Sequence, residues 1–440
     1  MHVNAHLDVD LVALETADRI TLMLDLTAPQ VIGSENRPGQ AVEVVLDRSG
    51  SMAGAPFEAA KQSLVRLVER LAPQDSFGLV IFDDATTIIS PLRSMRDHHV
   101  PSLRQAIESM QVGGSTNISS GYLLGLSELS HSATVGGSTL ILISDGHANA
   151  GETDPKFFLQ VAQKAALNKV TTSSIGLGTG YDEILLEASA QGGGGVHRFA
   201  ATIDEAIGAI AEEVDHLLDK SVVNTVLRIK PITGIHGAPG VELLQPFPVL
   251  RNGDEYLVQL GDMYAGENRR FMIDFEVPQL AALGLTTIAE LSLEYLNVAD
   301  RQQFSVTMPV LVNVVPQDIA DGRVPNPIVR AEHLVLIAQS EKSKAIDDLR
   351  HGNDQNAISR LKATATNLRR AASEIPVDDE RSAESLSIIL AEATDMEKLA
   401  TVAQTETIAY SSKRMTESFS NKSRSRKFTD FTEEGKDQPN

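Results

Sequence analysis

The pattern of hydrophobic and polar positions changes character three times along the 440 residues of the chain. Residues 2–12 and 19–28 alternate apolar and polar positions, which is typical of half-buried strands. From 41 to 218, short apolar runs such as VEVVL and TLILI alternate with segments of helical periodicity. Continuously apolar strands are expected where helices cover both faces of a mostly parallel sheet. Residues 41–218 therefore predict a doubly wound α/β domain.

Period-two alternation returns after this domain, with strands separated by Gly, Asn and Asp turns over residues 219–316. Such alternation predicts an antiparallel β-sandwich. The two N-terminal strands are too few to be stable alone, so we expect residues 1–36 to join the sandwich. The α/β domain would then be inserted between two parts of one β-domain.

The C-terminal part changes to helical periodicity, which predicts a small helical bundle over residues 318–411. The final segment, 412–440, is polar and rich in Ser, Lys and Arg, and this composition predicts a disordered tail. Its basic residues could dock to an anionic partner, but a solvated tail is the favoured interpretation.

Composition narrows the classes of function. The chain has 38 basic and 59 acidic residues and a formal charge of −21, which argues against nucleic-acid binding because that binding neutralises phosphates with cations. Cysteine is absent, which excludes disulfides, thiolate catalysis and Cys-based metal sites. The N-terminus has no signal-peptide pattern, and no run approaches the roughly 20 apolar residues of a membrane span. We therefore expect a cytoplasmic protein.

Oxygen-bearing side chains follow two of the apolar runs. The segment VEVVLDRSGSMAG places Asp47, Ser49 and Ser51 in one turn, and LILISDGHAN places Asp145 directly after another strand. A third, glycine-rich turn, GGSTNISSGY, carries Thr116 before a helix. Ligands of open α/β sheets bind outside the carboxyl ends of strands, and hard oxygen ligands suit Mg²⁺ or Mn²⁺. The alternative is a set of polar turns capped by Asp and Ser without a metal.

In this order, the three motifs resemble the metal-ion-dependent adhesion site of the von Willebrand factor A (VWA) domain, whose pattern is Asp-x-Ser-x-Ser, then Thr, then Asp. The resemblance covers the predicted α/β domain and extends to SIGLGTGYDEILLEASAQGGGGVHRFA near its end. It implies that the hydroxyls of Ser49, Ser51 and Thr116 coordinate Mg²⁺, Mn²⁺ or Ca²⁺. It also implies that Asp47 and Asp145 mainly hold coordinated waters, and that an acidic side chain of a protein partner completes the coordination.

We therefore expect a non-enzymatic, metal-dependent protein-interaction module. The resemblance implies an adaptor role in multiprotein assemblies, as is common among intracellular bacterial relatives of this type. Two alternatives remain open. A hydrolase could use the same cation as a Lewis acid, with Asp83, Asp84 or His147 as the nearby base or nucleophile. The α/β domain could instead be structural, with the amphipathic segment 328–374 recognising the partner.

Overall fold

The computed structural model of the protein consists of an α/β domain, a β-sandwich and a helical bundle. The residues that it describes are 1–30, 39–130, 137–218, 220–232, 240–245, 247–375, 380–422 and 426–427. None of the helices in these ranges combines the length and the apolar character needed to cross a membrane.

The α/β domain is built on a six-stranded sheet. Its strands are β4 (Ala41–Asp47), β5 (Ser76–Phe82), β6 (Thr86–Ser94), β7 (Ser138–Ser144), β8 (Val170–Leu177) and β9 (Gly194–Ala200). The spatial order is β6-β5-β4-β7-β8-β9, and every neighbouring pair is parallel except β5 with β6. The central strands β4 and β7 are buried along their whole length, which explains their continuously apolar sequences.

Helices cover both faces of this sheet, as predicted. They are α1 (Ala55–Arg70), α2 (Val100–Glu108), α3 (Ile118–Ser130), α4 (Pro155–Leu167), α5 (Glu183–Gly193) and α6 (Ile203–Leu218). One face packs against α1, α2 and α6, with Leu64 and Ile210 in the core. The other packs against α3, α4 and α5 around Tyr122 and Phe158. The domain is therefore doubly wound.

Glycines set the transition from α5 to the edge strand β9. Gly194 has a φ of 73° and ends the helix in the left-handed region that favours glycine. A Cβ on Gly195 would lie 2.1 Å from the carbonyl oxygen of Thr172, so only glycine allows β9 to approach β8 at this point. The glycine run is thus part of the helix end and the strand.

The remaining strands form a two-sheet sandwich. Its strands are β1 (His2–Leu7), β2 (Leu11–Ala13), β3 (Asp18–Thr27), β10 (Lys220–Pro231), β11 (Gly240–Leu243), β12 (Val249–Asn252), β13 (Glu255–Tyr264), β14 (Asn268–Val277), β15 (Gly284–Asn297) and β16 (Gln302–Val315). One sheet has the order β1-β3-β14-β11 and the other β12-β13-β10-β15-β16-β2. Side chains of both sheets, including Leu24, Phe271 and Leu291, share one core. The predicted insertion is confirmed, because the α/β domain lies between β3 and β10.

Helices follow the sandwich as far as residue 422. They are the short α7 (Gln317–Ala320), α8 (Pro327–Arg350), α9 (Asp354–Ser373), α10 (Glu380–Thr405) and α11 (Ile408–Lys422). The last four pack around an alanine-rich core that includes Leu361, Met396 and Met415.

The predicted disordered tail is wrong over residues 412–422, which belong to α11. Its basic side chains are paired inside the protein: Lys413 with Glu183, and Lys422 with Asp395. A short strand, β17 (Arg426–Lys427), also pairs with β14. The rest of the predicted tail, residues 423–425 and 428–440, lies outside the described residues.

Contacts of two basic side chains join the three units. Lys220 of β10 binds Asp262 of β13 at 2.6 Å and Thr139 of β7 at 2.8 Å, which links the sandwich to the α/β sheet. Arg350 at the end of α8 binds Glu183 of α5 at 2.8 Å. These contacts fix the helical bundle and the sandwich against the α/β domain.

Candidate metal centre

Three loops meet at the carboxyl edge of the α/β sheet. The first follows β4, the second precedes α3, and the third follows β7. Because β4 and β7 are adjacent and parallel, their carboxyl ends lie side by side. The structure therefore brings the turn that begins at Asp47 next to the turn that carries Asp145.

Asp47 organises the first loop from a buried position. Its Oδ1 accepts a hydrogen bond from the backbone N–H of Ser49 at 2.7 Å, and its Oδ2 accepts one from the hydroxyl of Ser144 at 2.6 Å. Burial raises the pKa of Asp47, although these hydrogen bonds oppose the shift. Asp47 thus holds the end of β4 to the end of β7.

The hydroxyls of the first loop lie beside the third loop. Ser49 Oγ and Ser51 Oγ are 3.0 Å apart, and the hydroxyl of Ser51 donates to Oδ1 of Asp145 at 2.7 Å. Burial raises the pKa of Asp145 to about 6, and the nearby carboxylate of Asp47 adds to the shift. Two hydroxyls and two acids therefore form one cluster.

Thr116 joins this cluster from the second loop. Its backbone N–H donates to Oδ1 of Asn149 at 2.8 Å, and its carbonyl oxygen accepts from the backbone N–H of Asn149 at 3.0 Å. A Cβ added to Gly146 would lie 3.1 Å from Ser51 Oγ and 3.2 Å from Thr116 Oγ1. Both hydroxyls therefore pack against the same glycine, the residue after Asp145.

Asp83 holds the glycine-rich loop that precedes α3 in place. It is buried, and its Oδ2 lies 3.0 Å from the guanidinium of Arg48 and 3.3 Å from the backbone N–H of Gly114. Burial favours a higher pKa, but hydrogen bonds from the backbone N–H groups of Ala85 and Gly114, together with Arg48, lower the pKa of Asp83 overall. This carboxylate positions a loop, a role that the sequence did not indicate.

Ser144, Gly146 and Asn149 also support the site and were not singled out from the sequence. All three flank Asp145 in the segment ISDGHAN. Their position next to Asp145 in the sequence was the one feature that could have indicated a role in the site. The roles themselves depend on hydrogen bonds and close contacts to the other two loops.

The donor set fits an octahedral divalent cation. Two ligands at about 2.1 Å from a metal and at right angles to each other lie about 3.0 Å apart, which matches the separation of Ser49 Oγ and Ser51 Oγ. In the described part of the chain, no group of three or more His, Asp or Glu side chains could hold a metal ion. A cation at this edge would thus be held by neutral hydroxyls as well as by carboxylates.

Residues 42–213 match the sequence profile of the von Willebrand factor type A domain. The chain contains a VWA domain. The matched residues lie within 41–218, the segment for which the sequence predicts an α/β domain, and they contain the mostly parallel sheet with helices on both faces.

Some similar proteins align with more of the chain than the VWA domain, and others with the region of that domain. The uncharacterized protein sll0103 of Synechocystis is 25% identical over 330 residues, which cover 73% of this chain and 77% of the relative. Human inter-alpha-trypsin inhibitor heavy chain H3 is 30% identical over 153 residues, which cover 33% of this chain but only 17% of the heavy chain. Most of that heavy chain therefore has no counterpart in the alignment.

Two solved structures share the fold of most of the chain. One is the von Willebrand factor type A protein from Catenulispora acidiphila, with a TM-score of 0.67 and 15% identity over 90% of this chain and 96% of that one. The other is the ArnB paralog VWA2 from Sulfolobus acidocaldarius, with a TM-score of 0.61 and 15% identity over 90% and 98%. At this identity the similarity concerns the fold alone.

Proposed function

We propose that this protein is a non-enzymatic interaction module whose VWA domain binds a divalent cation and, through it, an acidic side chain of a protein partner. The observation that carries the proposal is the convergence of Ser51 and Thr116 on Gly146, next to the carboxylate of Asp145. VWA domains typically serve in metal-dependent adhesion and protein interaction, which agrees with this arrangement.

Five residues would hold the cation, namely Asp47, Ser49, Ser51, Thr116 and Asp145. Oxygen donors of this kind suit Mg²⁺ and Mn²⁺, and Ca²⁺ also takes oxygen ligands. When bound, the ion supplies a positive centre that attracts a carboxylate. Because hydroxyl ligands are neutral, they leave more of the ion's charge uncompensated than carboxylates would. The site would therefore favour an acidic residue of the partner.

The hydrolase alternative is less well supported. It needs a base or nucleophile near the cation, and Asp83 is buried in an ion pair with Arg48 and bound to the loop backbone. His147 and Asp84 are exposed beside the site. Turnover of a phosphoester by the wild type, lost on changing His147→Ala, would favour the hydrolase over the interaction module.

Cation titration of the full chain tests the proposal. Isothermal titration calorimetry with Mn²⁺ should give one site in the wild type and a large loss of affinity in Asp145→Asn. The matched control is Asp84→Asn, an exposed acid on the neighbouring loop, which should bind as the wild type does. Equal Mn²⁺ affinity in all three proteins, or no binding by the wild type, would overturn the proposal.

The partner is tested with the same variants. A protein captured by the wild type with Mg²⁺ should be released by EDTA, captured by Asp84→Asn and lost from Asp145→Asn. Changing the partner's contacting acid to its amide should abolish capture. Capture that survives both EDTA and Asp145→Asn would show that another surface binds the partner.

A further inference from the structure

A single peptide group connects the candidate metal centre to the C-terminal helix α11. This is the peptide between Tyr181 and Asp182, in the loop from β8 to α5. Its N–H donates to the carbonyl oxygen of Gly146 at 3.3 Å, and its C=O accepts from Nζ of Lys413 at 3.0 Å. The two ends of one planar group therefore contact the metal centre and a helix that follows the sandwich in sequence.

On the side of the metal centre, the contact reaches the residue that packs against two candidate ligands. Gly146 lies beside the hydroxyls of Ser51 and Thr116. Its N–H also lies 3.3 Å from Oγ of Ser144, which in turn binds Asp47. A displacement of Gly146 would therefore change the spacing of the hydroxyls and loosen the bond that holds the first loop.

On the side of the helix, Lys413 is held firmly. It is buried, and its Nζ lies 3.0 Å from Oε2 of Glu183 and 4.2 Å from the ring centre of Tyr181. Glu183 also accepts hydrogen bonds from Ser412 of α11 and from Arg350 of α8. The ammonium group thus stays on the Tyr181 carbonyl because the Glu183 carboxylate and the Tyr181 ring also hold it there.

The charge of the Lys413 ammonium affects both hydrogen bonds of the Tyr181–Asp182 peptide. A charged donor on a carbonyl oxygen forms a stronger bond than a neutral donor. It also polarises the peptide, so that the N–H on the other side becomes a better donor to Gly146. Removal of the ammonium leaves the Tyr181 carbonyl without its charged donor and weakens the remaining hydrogen bond, from the Asp182 N–H to the carbonyl oxygen of Gly146.

We propose that Lys413 is a positioning residue for the metal centre: through the Tyr181–Asp182 peptide it holds the turn of Asp145 and Gly146 in the cation-binding geometry. Cation affinity is then coupled to the docking of α11 on the VWA domain. This inference rests on the proposed function, because it requires a cation at that site. By thermodynamic linkage, the cation must also stabilise the docked helix.

A pair of adjacent variants separates this role from general docking. Lys413→Met removes the contact to Tyr181. Arg414→Met removes an equally charged residue of the same helix that pairs with Glu205 of α6 at 2.7 Å and stacks over Phe199. Arg414 therefore also docks α11 to the VWA domain, but it does not contact the connecting peptide.

Mn²⁺ affinity of the full-length proteins is measured by calorimetry, with thermal unfolding as the check of folding. We expect Lys413→Met to weaken affinity roughly tenfold, within the usual 5- to 150-fold range of coupled sites, and Arg414→Met to stay within about twofold. Wild-type affinity in Lys413→Met, or an equal loss in both variants, would overturn the inference. Neither of these results would contradict the proposed function, as long as the wild type binds Mn²⁺.

Hydrogen exchange of the unaltered chain gives a second measurement that does not depend on the folding of a variant. Mg²⁺ should slow amide exchange in α11, compared with α9, which packs on α8 and α10. No change in α11 at saturating Mg²⁺ would overturn the inference. Absence of any cation binding by the wild type would instead overturn the proposed function, and the inference with it.

Discussion

The hydroxyl of Ser51 donates a 2.7 Å hydrogen bond to Oδ1 of Asp145, although 94 positions separate the two residues in the chain. The bond joins the loop after β4 to the loop after β7. It follows from the sheet topology, because parallel neighbouring strands place their carboxyl ends together. The acid is half-buried and close to a second carboxylate, and its pKa rises accordingly. A divalent cation between these loops would offset that repulsion.

Removal of the hydroxyls should weaken cation binding without unfolding the domain. Ser51 is exposed, and surface substitutions usually change stability by no more than about 0.5 kcal/mol. Thr116 is buried, so circular dichroism checks the fold of its variant. We expect Ser51→Ala and Thr116→Ala each to lower Mn²⁺ affinity at least tenfold in calorimetry. Ser115→Ala, in the same glycine-rich loop, is the control and should retain wild-type affinity. Unchanged affinity in both hydroxyl variants would mean that the cation is bound elsewhere.

A methyl group on Gly146 should disturb the candidate metal centre by displacing two of its hydroxyls. Its Cβ would lie 3.1 Å from Ser51 Oγ and 3.2 Å from Thr116 Oγ1, so both hydroxyls must shift by a few tenths of an ångström. We expect Gly146→Ala to lower Mn²⁺ affinity roughly tenfold while the far-ultraviolet circular dichroism stays unchanged. In the control variant Gly180→Ala, the new Cβ would lie 3.5 Å from the carbonyl oxygen of Asp145, which is an ordinary van der Waals distance. This variant should bind Mn²⁺ with wild-type affinity.

The buried carboxyl of Glu43 should make stability depend on pH. It lies fully buried in β4, without a hydrogen-bond partner among the described residues. Burial raises its pKa from 4.5 to about 9, and Glu128 adds to the shift. The folded protein therefore keeps a proton that the unfolded chain releases, so the free energy of unfolding falls as pH rises from about 5 to about 9. The slope approaches about 1.4 kcal/mol per pH unit for one such group.

Urea unfolding of the wild type and Glu43→Gln at pH 6 and pH 8.5 measures this slope. The amide cannot ionise, so the variant should lose most of the decrease. Glu108→Gln, at an exposed position of α2, is the control and should keep the decrease, because Glu108 does not contribute to the pKa shift of Glu43. An identical pH dependence in the wild type and Glu43→Gln would show that the carboxyl finds a partner or solvent.

Glu183 should contribute far more to stability than a surface acid. It accepts hydrogen bonds from Ser412, Lys413 and Arg350 at the junction of α5 with the helical bundle. Breaking a buried pair typically costs 3–5 kcal/mol, so we expect Glu183→Ala to lower the free energy of unfolding by about 3 kcal/mol. Glu397→Ala breaks an exposed pair with Arg369 and should cost far less, because solvent screens exposed ion pairs. Chemical denaturation compares the two variants.

The pKa of Glu183 adds a pH test of the same junction. Burial favours a higher pKa, but Ser412, Lys413 and Arg350 outweigh it and lower the pKa below its ordinary value. The contribution of this carboxylate to stability is therefore present above the unfolded-state pKa and is lost as pH falls through the folded-state pKa. The difference in stability between the wild type and Glu183→Ala should shrink in acid.

The architecture was predictable from the sequence because it depends on local periodicity. The apolar runs that became β4 and β7 must be buried on both faces, and this alone requires helices on either side. The polar residues at the ends of these strands then had to lie at one edge of the sheet. The sequence alone therefore predicts that Asp47 and Asp145 lie close together.

Contacts between distant segments were not predictable in this way. Residues 412–422 have the composition of a solvated tail, yet Lys413 and Arg414 pair with Glu183 and Glu205, more than two hundred positions earlier. Asp83 likewise follows a strand, where the sequence offers it as a candidate base or nucleophile, but it is buried against Arg48 of another loop. A sequence shows how polar a segment is, but not whether a distant segment supplies the opposite charge.

The placement of the VWA domain between β3 and β10 has a mechanical consequence. These two strands belong to opposite sheets of the sandwich, so the domain is tethered at both ends to a single folded unit. Tension applied by a partner at the carboxyl edge would be divided between two covalent attachments and would reach both sheets. Both ends of the VWA domain are therefore covalently attached to the sandwich, whereas a domain at a chain terminus would be attached through one segment only.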